Sequence, residues 1–286
     1  MKSNRNVEVR VKKKLSGGVK ILLAFAIMAV VIFPVFWMIN ISFFKQSQLF
    51  SDTPLIAFLN GYNLEGYKEV LSDTRVYEWL GNSIFVSLIA VGFSVVFSVL
   101  AAYGLSRFKS KLNNVMTVVI ICTQMIAPAL IVAPLYKMFA RVGLANNHLG
   151  LIMVDTALVL SFSIWIMKGF IDNIPKELDE AAQIDGCNRF ATLVRVILPV
   201  AKPVFITVMV INFFDIFNEY MFAMTFIQKQ SLWLSTVGLS INMSRVGMDW
   251  STLLPQTVIT CLIPVIFYFI FQRYIVKGLS AGAVKL

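Results

Sequence analysis

The chain has 286 residues, of which 58% are hydrophobic and 14% charged, with a mean hydropathy of +0.78 and a formal net charge of +10. A globular domain is typically about 45–50% apolar and about 25% charged, so this excess of apolar residues must face something other than water. The abundance of Phe, Val, Ile and Leu excludes a disordered chain. The composition therefore predicts an integral membrane protein.

Cysteine and histidine are too few and too scattered for a metal centre. Cys122, Cys187 and Cys261 are widely spaced and form no C-x-x-C pair, which argues against both a disulfide scaffold and a zinc site. The single His148 argues against a histidine-built catalytic or metal site. We therefore expect no metal-binding residue and no catalytic centre built on Cys or His.

A membrane-spanning helix needs about 20 mostly apolar residues. A scan with that window predicts six spans, at 19–41, 80–105, 114–136, 149–171, 203–226 and 253–275. We expect an all-α polytopic membrane protein, with a six-span domain over 19–275 between a basic tail, 1–18, and a C-terminal tail, 276–286. The first apolar run is longer than that of a signal peptide and no cleavage site follows it, so we expect an uncleaved helix.

Four prolines lie in the interior of the predicted spans, away from the first few residues: Pro34, Pro128, Pro134 and Pro264. They are not expected to interrupt the spans, because neighbouring helices can satisfy the backbone groups that a proline frees.

The Lys and Arg residues are distributed unevenly between the two sides of the membrane. With the N-terminus inside, 18 fall on the inner side and 7 on the outer side. This excess follows the positive-inside rule and predicts that both termini are cytoplasmic. The basic residues are thus explained by topology, and no RNA-binding motif accompanies them, so we expect no nucleic-acid partner.

The inner loop 172–202 carries four basic and five acidic residues and predicts two short helices. Pro175 suits a first helical turn, and the acidic residues in 177–180 lie at the positive end of the helix dipole. Asp185-Gly186 is expected to break the helix, and a second helical run is expected to end at Pro199. One face of the first helix is expected to carry Leu178, Ala181 and Ala182.

This loop resembles a known sequence element. Glu180-Ala181-Ala182, Asp185-Gly186 and Ile197-x-Leu-Pro199 are similar to the EAA loop of ABC-importer permeases. Other segments resemble the carbohydrate branch of that family, which includes the smaller permease of the maltose transporter. These segments are Asn82-Ser83, Ala101 to Phe108, Pro134-Leu-Tyr136, Gly143-Leu-x-Asn146 and Lys277 to Lys285.

The resemblance implies a fold, a set of partners and two ATPase contacts. The fold would be that of a type I ABC-importer permease with a cytoplasmic coupling helix, in the plasma membrane of a bacterium or archaeon. The implied partners are a second permease, two ATPase subunits, an extracytoplasmic solute-binding protein and membrane lipid. The residues implied to couple to the ATPase are Glu180, Ala181, Ala182, Asp185 and Gly186. The C-terminal residues implied to reach the ATPase interface are Ser280, Ala281, Gly282 and Ala283.

The chain carries no G-x-x-x-x-G-K-[ST] sequence, so it has no phosphate-cradling loop for nucleotide. ATP is therefore expected to be hydrolysed by the partner ATPase subunits. The chain itself is expected to be a transport subunit with no catalytic or cofactor-binding residue, and not an enzyme.

Charged and amide side chains inside the spans predict a polar site, because such groups usually face a cavity or a partner. The fifth span carries four polar residues at helical spacing: Asn212, Asp215, Asn218 and Glu219. This stripe lines the translocation path or its gate, or else packs against the partner permease. Asp155, near the outer end of the fourth span, is interpreted as wetted there.

The outer loop at about 227–252 contains Trp233, Asn242, Met243 and Trp250. Its aromatic residues are typical of interfacial anchors. The family resemblance implies that this loop also reaches into the cargo cleft of the binding protein.

The cargo implied by the resemblance is a sugar or oligosaccharide, whose hydroxyl groups suit amide and carboxylate acceptors. A glycerol phosphate ester is the alternative cargo, although phosphate recognition would need Arg or Lys near the path. An alternative of another class is a self-sufficient secondary transporter.

Overall fold

The computed structural model of the chain describes residues 2–49, 61–108, 110–244 and 249–283, and these residues contain helices and no strand. In chain order the helices are α1 (Lys2–Ile41), α2 (Gln46–Leu49), α3 (Glu65–Ser72), α4 (Thr74–Arg107), α5 (Lys111–Thr123), α6 (Pro128–Arg141), α7 (His148–Asp172), α8 (Glu177–Ile184), α9 (Arg189–Thr192), α10 (Leu198–Phe217), α11 (Met221–Phe226), α12 (Ser235–Ser244) and α13 (Trp250–Ala283). A π-helical segment, Leu193–Ile197, joins α9 to α10.

Five helical segments of the described chain are long and apolar enough to cross a membrane: Lys20–Ile41, Thr74–Arg107, His148–Asp172, Arg189–Phe217 and Trp250–Ile275. The helix pair α5 and α6 passes the same test when it is taken as one broken span. Counted in that way, the described residues contain the six predicted spans.

The third predicted span is not a straight helix. α5 and α6 are bent by 98° at the break between Thr123 and Pro128. Pro128 is the first residue of α6, where its missing N–H costs nothing, and it disfavours helical backbone in the residue before it. The expectation that Pro128 would not interrupt the span was therefore wrong, whereas Pro34 and Pro134 do lie inside helices.

The fifth predicted span differs at both ends. Pro199 does not end the helical run, because the π-helical segment leads directly into α10 and Pro199 lies in its first turn. This widened π turn lies just before Pro199, which has no backbone N–H to donate to the helical hydrogen-bond pattern. At the other end α10 stops at Phe217, and α11 is a separate short helix.

The chain divides into two compact units, Met1–Ser72 with Asp249–Val258 and Asp73–Met248 with Ile259–Leu286. In the first unit α1 begins at Lys2, so the predicted basic tail is helical. The side chains of residues 20–36 are exposed, as expected of an apolar helix that faces lipid or another subunit. Near the end of α1, the Ser42 hydroxyl lies 2.7 Å from the Tyr67 hydroxyl of α3.

The second unit is built on α4, α7 and α10, which pack against one another along their length. The Asp73 side chain accepts from the Arg75 N–H and caps α4, and the Asn147 side chain accepts from the Leu149 N–H and caps α7. One buried apolar cluster contains Ala102, Tyr103, Ile171 and Ile197, and a second contains Val86, Leu151, Phe213 and Phe226. We call the end of this bundle that carries Arg107 the α8 end and the opposite end the Trp79 end.

Candidate functional site

The α8 end carries the loop that the sequence singled out. α8 starts with Glu177, Asp179 and Glu180 in its first turn, as predicted from the helix dipole. It ends in a Schellman motif: the Cys187 N–H donates to the Ala182 carbonyl at 2.9 Å and the Gly186 N–H donates to the Gln183 carbonyl at 3.1 Å. Gly186 has φ +86°, a backbone conformation that glycine adopts without strain. The predicted break at Asp185-Gly186 is confirmed.

The predicted coupling residues divide between two faces of α8. Glu180, Ala181, Asp185 and Gly186 are exposed, whereas Ala182 is buried against the chain. The expectation that Leu178, Ala181 and Ala182 would share one presented face was therefore wrong for Ala182. Ile184, which the sequence analysis did not select, is 86% exposed.

α8 is held against α4 by three buried side chains that we call the buried tether: Tyr103, Arg107 and Asp179. Arg107 Nε lies 2.9 Å from Asp179 Oδ2, and both side chains are almost fully buried. The Tyr103 hydroxyl donates to Asp179 Oδ1 at 2.9 Å, and Arg107 Nη2 donates to the Ile174 carbonyl at 3.0 Å. Asp179 therefore pairs with α4 in addition to lying in the first turn of α8.

Sequence reasoning quoted Tyr103 and Arg107 only as part of a motif and gave neither of them a role. The available signal was an Arg at the end of an apolar span, on the side of the membrane predicted for the acidic loop 172–202. Which carboxylate it would meet depends on tertiary packing.

A cavity of about 490 Å³ lies among α5, α7 and α10 and is lined by three acidic residues and an amide, Asp155, Asp215, Glu219 and Gln124. The rest of the lining is apolar, and within the described part of the chain no lysine, arginine or histidine lines it. Gln124 and Asp215 are exposed, so their side-chain oxygens can accept hydrogen bonds from hydroxyl groups in the cavity.

Asp155 is the most enclosed of these acids. It is 1% exposed, and neither of its carboxyl oxygens has a hydrogen-bond partner among the described residues. The interpretation that Asp155 is wetted at the outer end of its span was therefore wrong. Gln124 reaches the cavity because the bend between α5 and α6 falls at that residue. Sequence reasoning missed it by treating the segment as one straight helix.

Glu219 both lines the cavity and caps α11. Its Oε1 accepts from the Phe222 N–H at 2.7 Å and its Oε2 accepts from the Ala223 N–H at 2.9 Å. These bonds satisfy two of the free N–H groups at the start of α11. α11 is therefore a separate helix whose first turn is fixed by the last residue of the predicted stripe.

The predicted stripe does not form one surface. Asn212 is fully buried, and its Nδ2 donates to Ser94 Oγ at 2.9 Å and to Ser163 Oγ at 2.8 Å, so it joins α10 to α4 and α7. Asn218 is exposed at the end of α10, outside the cavity lining. Only Asp215 and Glu219 of the four line the cavity. Asn212 and Asn218 face elsewhere, and α10 ends at Phe217, so Asn218 and Glu219 no longer follow its helical repeat.

The Trp79 end holds the segment 230–235 in place. Trp79 Nε1 donates to the Gln230 carbonyl at 3.0 Å, and Asn82 Nδ2 donates at 3.0 Å to each of the Ser231 and Trp233 carbonyls. The Ser235 N–H donates to Ser83 Oγ at 2.8 Å. The Asn82-Ser83 motif thus fixes a segment about 150 residues away along the chain.

Asn146, just before α7, and His148, its first residue, hold the backbone of residues 228–232. Asn146 has φ +56°, and its Oδ1 accepts from the Gln228 N–H at 3.0 Å and the Lys229 N–H at 2.9 Å. His148 Nε2 lies 2.9 Å from the Leu232 carbonyl. The Trp233 ring packs at 5.8 Å from the Trp79 ring, so this tryptophan is a packing residue within the chain. Asn242 and Met243 lie in α12, and Trp250 starts α13.

The C-terminal residues predicted to reach the ATPase, Ser280, Ala281, Gly282 and Ala283, form the last turn of α13. Residues 284–286 and the side chains from 276 onward lie outside the described part of the chain. Among the described residues, no group of three or more His, Cys, Asp or Glu could hold a metal ion.

The chain is similar to known transport proteins. It is 32% identical to the trehalose/maltose transport system permease protein MalG of Thermococcus litoralis over 96% of this chain and 99% of that protein. It is 34% identical to the melibiose/raffinose/stachyose import permease protein MelC of Bacillus subtilis over 72% of this chain and 76% of that protein.

A chain in the crystal structure of a bacterial ABC transporter for the acidic polysaccharide alginate has the same fold, with a TM-score of 0.76 at 21% identity over 92% of this chain and 97% of that one. Residues 94–281 match the family described as the binding-protein-dependent transport system inner membrane component. The chain therefore belongs to that family, the membrane-spanning permeases of ABC importers.

Proposed function

We propose that this chain is one of two permease subunits of an ATP-driven importer for a sugar or oligosaccharide, with α8 as the element that docks on a separate ATPase subunit. The observation that carries the proposal is α8 itself: an exposed knob, Glu180, Ala181 and Ile184 to Gly186, held on the bundle by the buried tether. An exposed apolar side chain flanked by acid on a rigidly anchored helix suits a protein partner.

Both termini and α8 are assigned to the cytoplasm. The 18 to 7 distribution of Lys and Arg supports this orientation, as does the even number of spans when the bent pair counts as one. The segment 230–235 then faces outward, where its anchored backbone provides a fixed surface for the solute-binding protein. The C-terminal residues 280–283 are assigned to the ATPase interface on the family resemblance.

The cavity supports a neutral, hydroxyl-rich cargo. Its polar lining consists of Gln124, Asp155, Asp215 and Glu219, of which the exposed Gln124 and Asp215 offer acceptors for hydroxyl groups. A phosphate ester would need a cationic side chain, and none lines the cavity within the described residues. We therefore assign the cargo path to Asp155, Asp215, Glu219 and Gln124. Asn212 and Asn218 both lie outside this lining, and we assign the exposed Asn218 to the gate.

The test uses the chain assembled with its second permease and ATPase subunits. Ile184→Asp should lower copurification of the ATPase roughly tenfold or more, because it places an uncompensated charge in the contact. Leu64→Asp, an equal change at a residue 54% exposed on the other side of the membrane, should leave copurification unchanged. Equal loss in both variants, or in neither, would reject α8 as the docking element.

A second pair of variants uses one position. Gly186→Trp should abolish ATP-driven uptake while the chain still inserts, because its bulk blocks contact at the knob. Gly186→Asn should keep most uptake, since Asn tolerates a positive φ and a Cβ at this position meets open space in the chain. Full uptake with Gly186→Trp would contradict the proposal. Uptake by the chain reconstituted without an ATPase would instead support a secondary transporter.

A further inference from the structure

One cation from α10 and one from α13 lie against the same aromatic ring. The guanidinium carbon of Arg273 lies 4.8 Å from the centre of the Tyr274 ring, and Arg273 Nη2 donates to the Tyr274 hydroxyl at 3.1 Å. Lys202 Nζ, near the start of α10, lies 5.8 Å from the same ring centre. The ring attracts both cations by cation–π contact, so the packing of α10 near the end of α13 brings two positive charges together.

These two charges have no counter-ion in the described part of the chain. None of the ion pairs found there includes Lys202 or Arg273, and both side chains are exposed. α13 contains no Asp or Glu, and the only acidic residue of α10 is Asp215, about 20 Å along the helix from Lys202. A cation–π contact leaves the positive charge in place, and two like charges held close together repel each other. The arrangement therefore favours an anion that binds from outside the chain.

An exposed apolar face of α13 leads up to these cations. Its residues follow a helical repeat that ends at Arg273, and each of them is between 48% and 61% exposed: Leu262, Ile266, Phe269 and Ile270. We call these four residues the α13 stripe. From Leu262 to Arg273 the helix rises about 16 Å, which is about half of the roughly 30 Å hydrocarbon core of a bilayer. The stripe therefore has about the length of one lipid leaflet.

The cations lie at the level where a membrane meets water. The apolar segment of α13 ends at Ile275, just after Arg273, and the fifth predicted span begins at 203, next to Lys202. Tyr is enriched at this level, and basic pockets between spanning helices on the cytoplasmic side are typical sites for anionic lipid headgroups. A lipid would meet both the cations and the α13 stripe, whereas a soluble anion would leave the stripe uncovered.

We propose that Lys202 and Arg273 bind the phosphate group of an anionic phospholipid whose acyl chain lies along the α13 stripe. Tyr274 is the positioning residue, because its ring holds the two cations and its hydroxyl accepts from Arg273. A phosphate bound to both cations offsets their repulsion and joins α10 to α13 by charge-assisted hydrogen bonds. The inference goes beyond import and holds whichever cargo the chain carries.

Native mass spectrometry of the assembled complex counts the lipids that it binds. The delipidated complex in detergent is titrated with dioleoylphosphatidylglycerol and, in parallel, with dioleoylphosphatidylcholine, which carries no net charge. The parent should bind at least one phosphatidylglycerol per copy of this chain in clear preference to phosphatidylcholine. Lys202→Gln/Arg273→Gln should weaken that binding roughly tenfold or more, because both charges that attract the phosphate are gone.

Conservative variants separate the effect of charge from that of structure. Lys202→Arg keeps the positive charge and should retain the preference for phosphatidylglycerol. Tyr274→Phe keeps the ring and should bind nearly as well as the parent, whereas Tyr274→Leu removes the ring that holds both cations and should weaken binding roughly threefold.

The matched control removes two cations from another part of the chain. Lys137 and Arg141 are exposed on α6 and form no cation–π contact within the described residues. Lys137→Gln/Arg141→Gln changes the net charge by the same amount and should leave phosphatidylglycerol binding unchanged.

The lipid site would be overturned by equal binding of the two lipids to the parent, by full binding in Lys202→Gln/Arg273→Gln, or by an equal loss in the control. Inorganic phosphate is titrated in the same way, and binding as tight as that of phosphatidylglycerol would indicate a site for a soluble anion instead. Loss of the second permease from the Lys202→Gln/Arg273→Gln complex would also overturn the proposal, because the cations would then meet a protein.

Discussion

Several turns in this chain depend on a single residue, which either adopts a positive φ or accepts hydrogen bonds from the backbone. Gly186 adopts a positive φ at the end of α8, and Asn146 does so where it holds residues 228 and 229. Glu219 caps α11 with both of its carboxyl oxygens. Each of these residues fixes a turn beside a surface to which we assign a function. Replacing one of them therefore changes the backbone conformation of that surface as well as its chemical groups.

The two roles of Glu219 can be separated by two substitutions. Glu219→Ala removes both acceptors and should destabilise the chain by about 1 kcal/mol, as for loss of a helix cap. Glu219→Gln keeps one acceptor oxygen but turns its amide NH2 toward the second N–H donor, so it should lose part of that stability, less than Glu219→Ala does, and it should lower uptake because it replaces a carboxyl group of the cavity. Thermal unfolding and ATP-driven uptake of the purified complex measure the two effects.

Copurification of the partner permease separates the remaining explanations for Glu219. A stable complex with weak uptake agrees with a cavity role. A complex that dissociates would show that Glu219 packs on the partner instead. Normal uptake and assembly in Glu219→Gln would leave only the cap on α11.

At the scale of elements, the bundle of α4, α7 and α10 is joined by polar as well as apolar contacts. Leu151 and Phe213 belong to one of its buried clusters. In membrane proteins lipid is as apolar as the side chains, so packing and hydrogen bonds between helices decide how they associate. The Ser94–Asn212–Ser163 network is the buried polar contact that joins all three helices.

Replacing Asn212 tests that network. Asn212→Leu leaves the Ser94 and Ser163 hydroxyls without their shared partner and should destabilise the complex by about 1–3 kcal/mol. Thr207→Val, on the same helix, removes a hydroxyl that donates to the Pro203 carbonyl of its own helix and should cost less. Thermal unfolding compares the two variants, and equal losses would mean that the network adds no stability between helices.

At the scale of the whole molecule, the orientation in the membrane governs every functional assignment. α8 can meet an ATPase only if it lies in the cytoplasm, and the cargo path then opens away from it. Positively charged residues on the connecting segments set this orientation during insertion. The 18 basic residues on one side against 7 on the other therefore support the assigned orientation.

Cysteine labelling tests the orientation directly. In a chain whose own cysteines are replaced, a cysteine in place of Ser47 should react with an impermeant reagent in intact cells. A cysteine in place of Ser110 should react only after lysis. Ser47 lies in α2 and Ser110 caps α5, so each marks a defined connection. The reverse pattern would overturn the orientation and the assignment of α8 with it.

The sequence by itself determined the helical membrane fold, the six apolar segments and the turn at Gly186. These depend on composition, on the length of apolar runs and on the preference of glycine for a positive φ, all of which are local. It also identified α8 as the element of interest, because an acidic helical segment between two spans departs from an ordinary connector.

Only the tertiary structure decided which polar groups meet. Asn212 and Asp215 share a helix and a spacing, yet one is buried between α4 and α7 while the other lines a cavity. Asp179 looked like a dipole partner of α8 but pairs with Arg107, which lies 72 positions earlier in the chain. The spacing of residues along a helix determines the direction in which a side chain points, but not which residue it meets there. Burial and pairing depend on helices that are distant in sequence, and only their packing brings those side chains together.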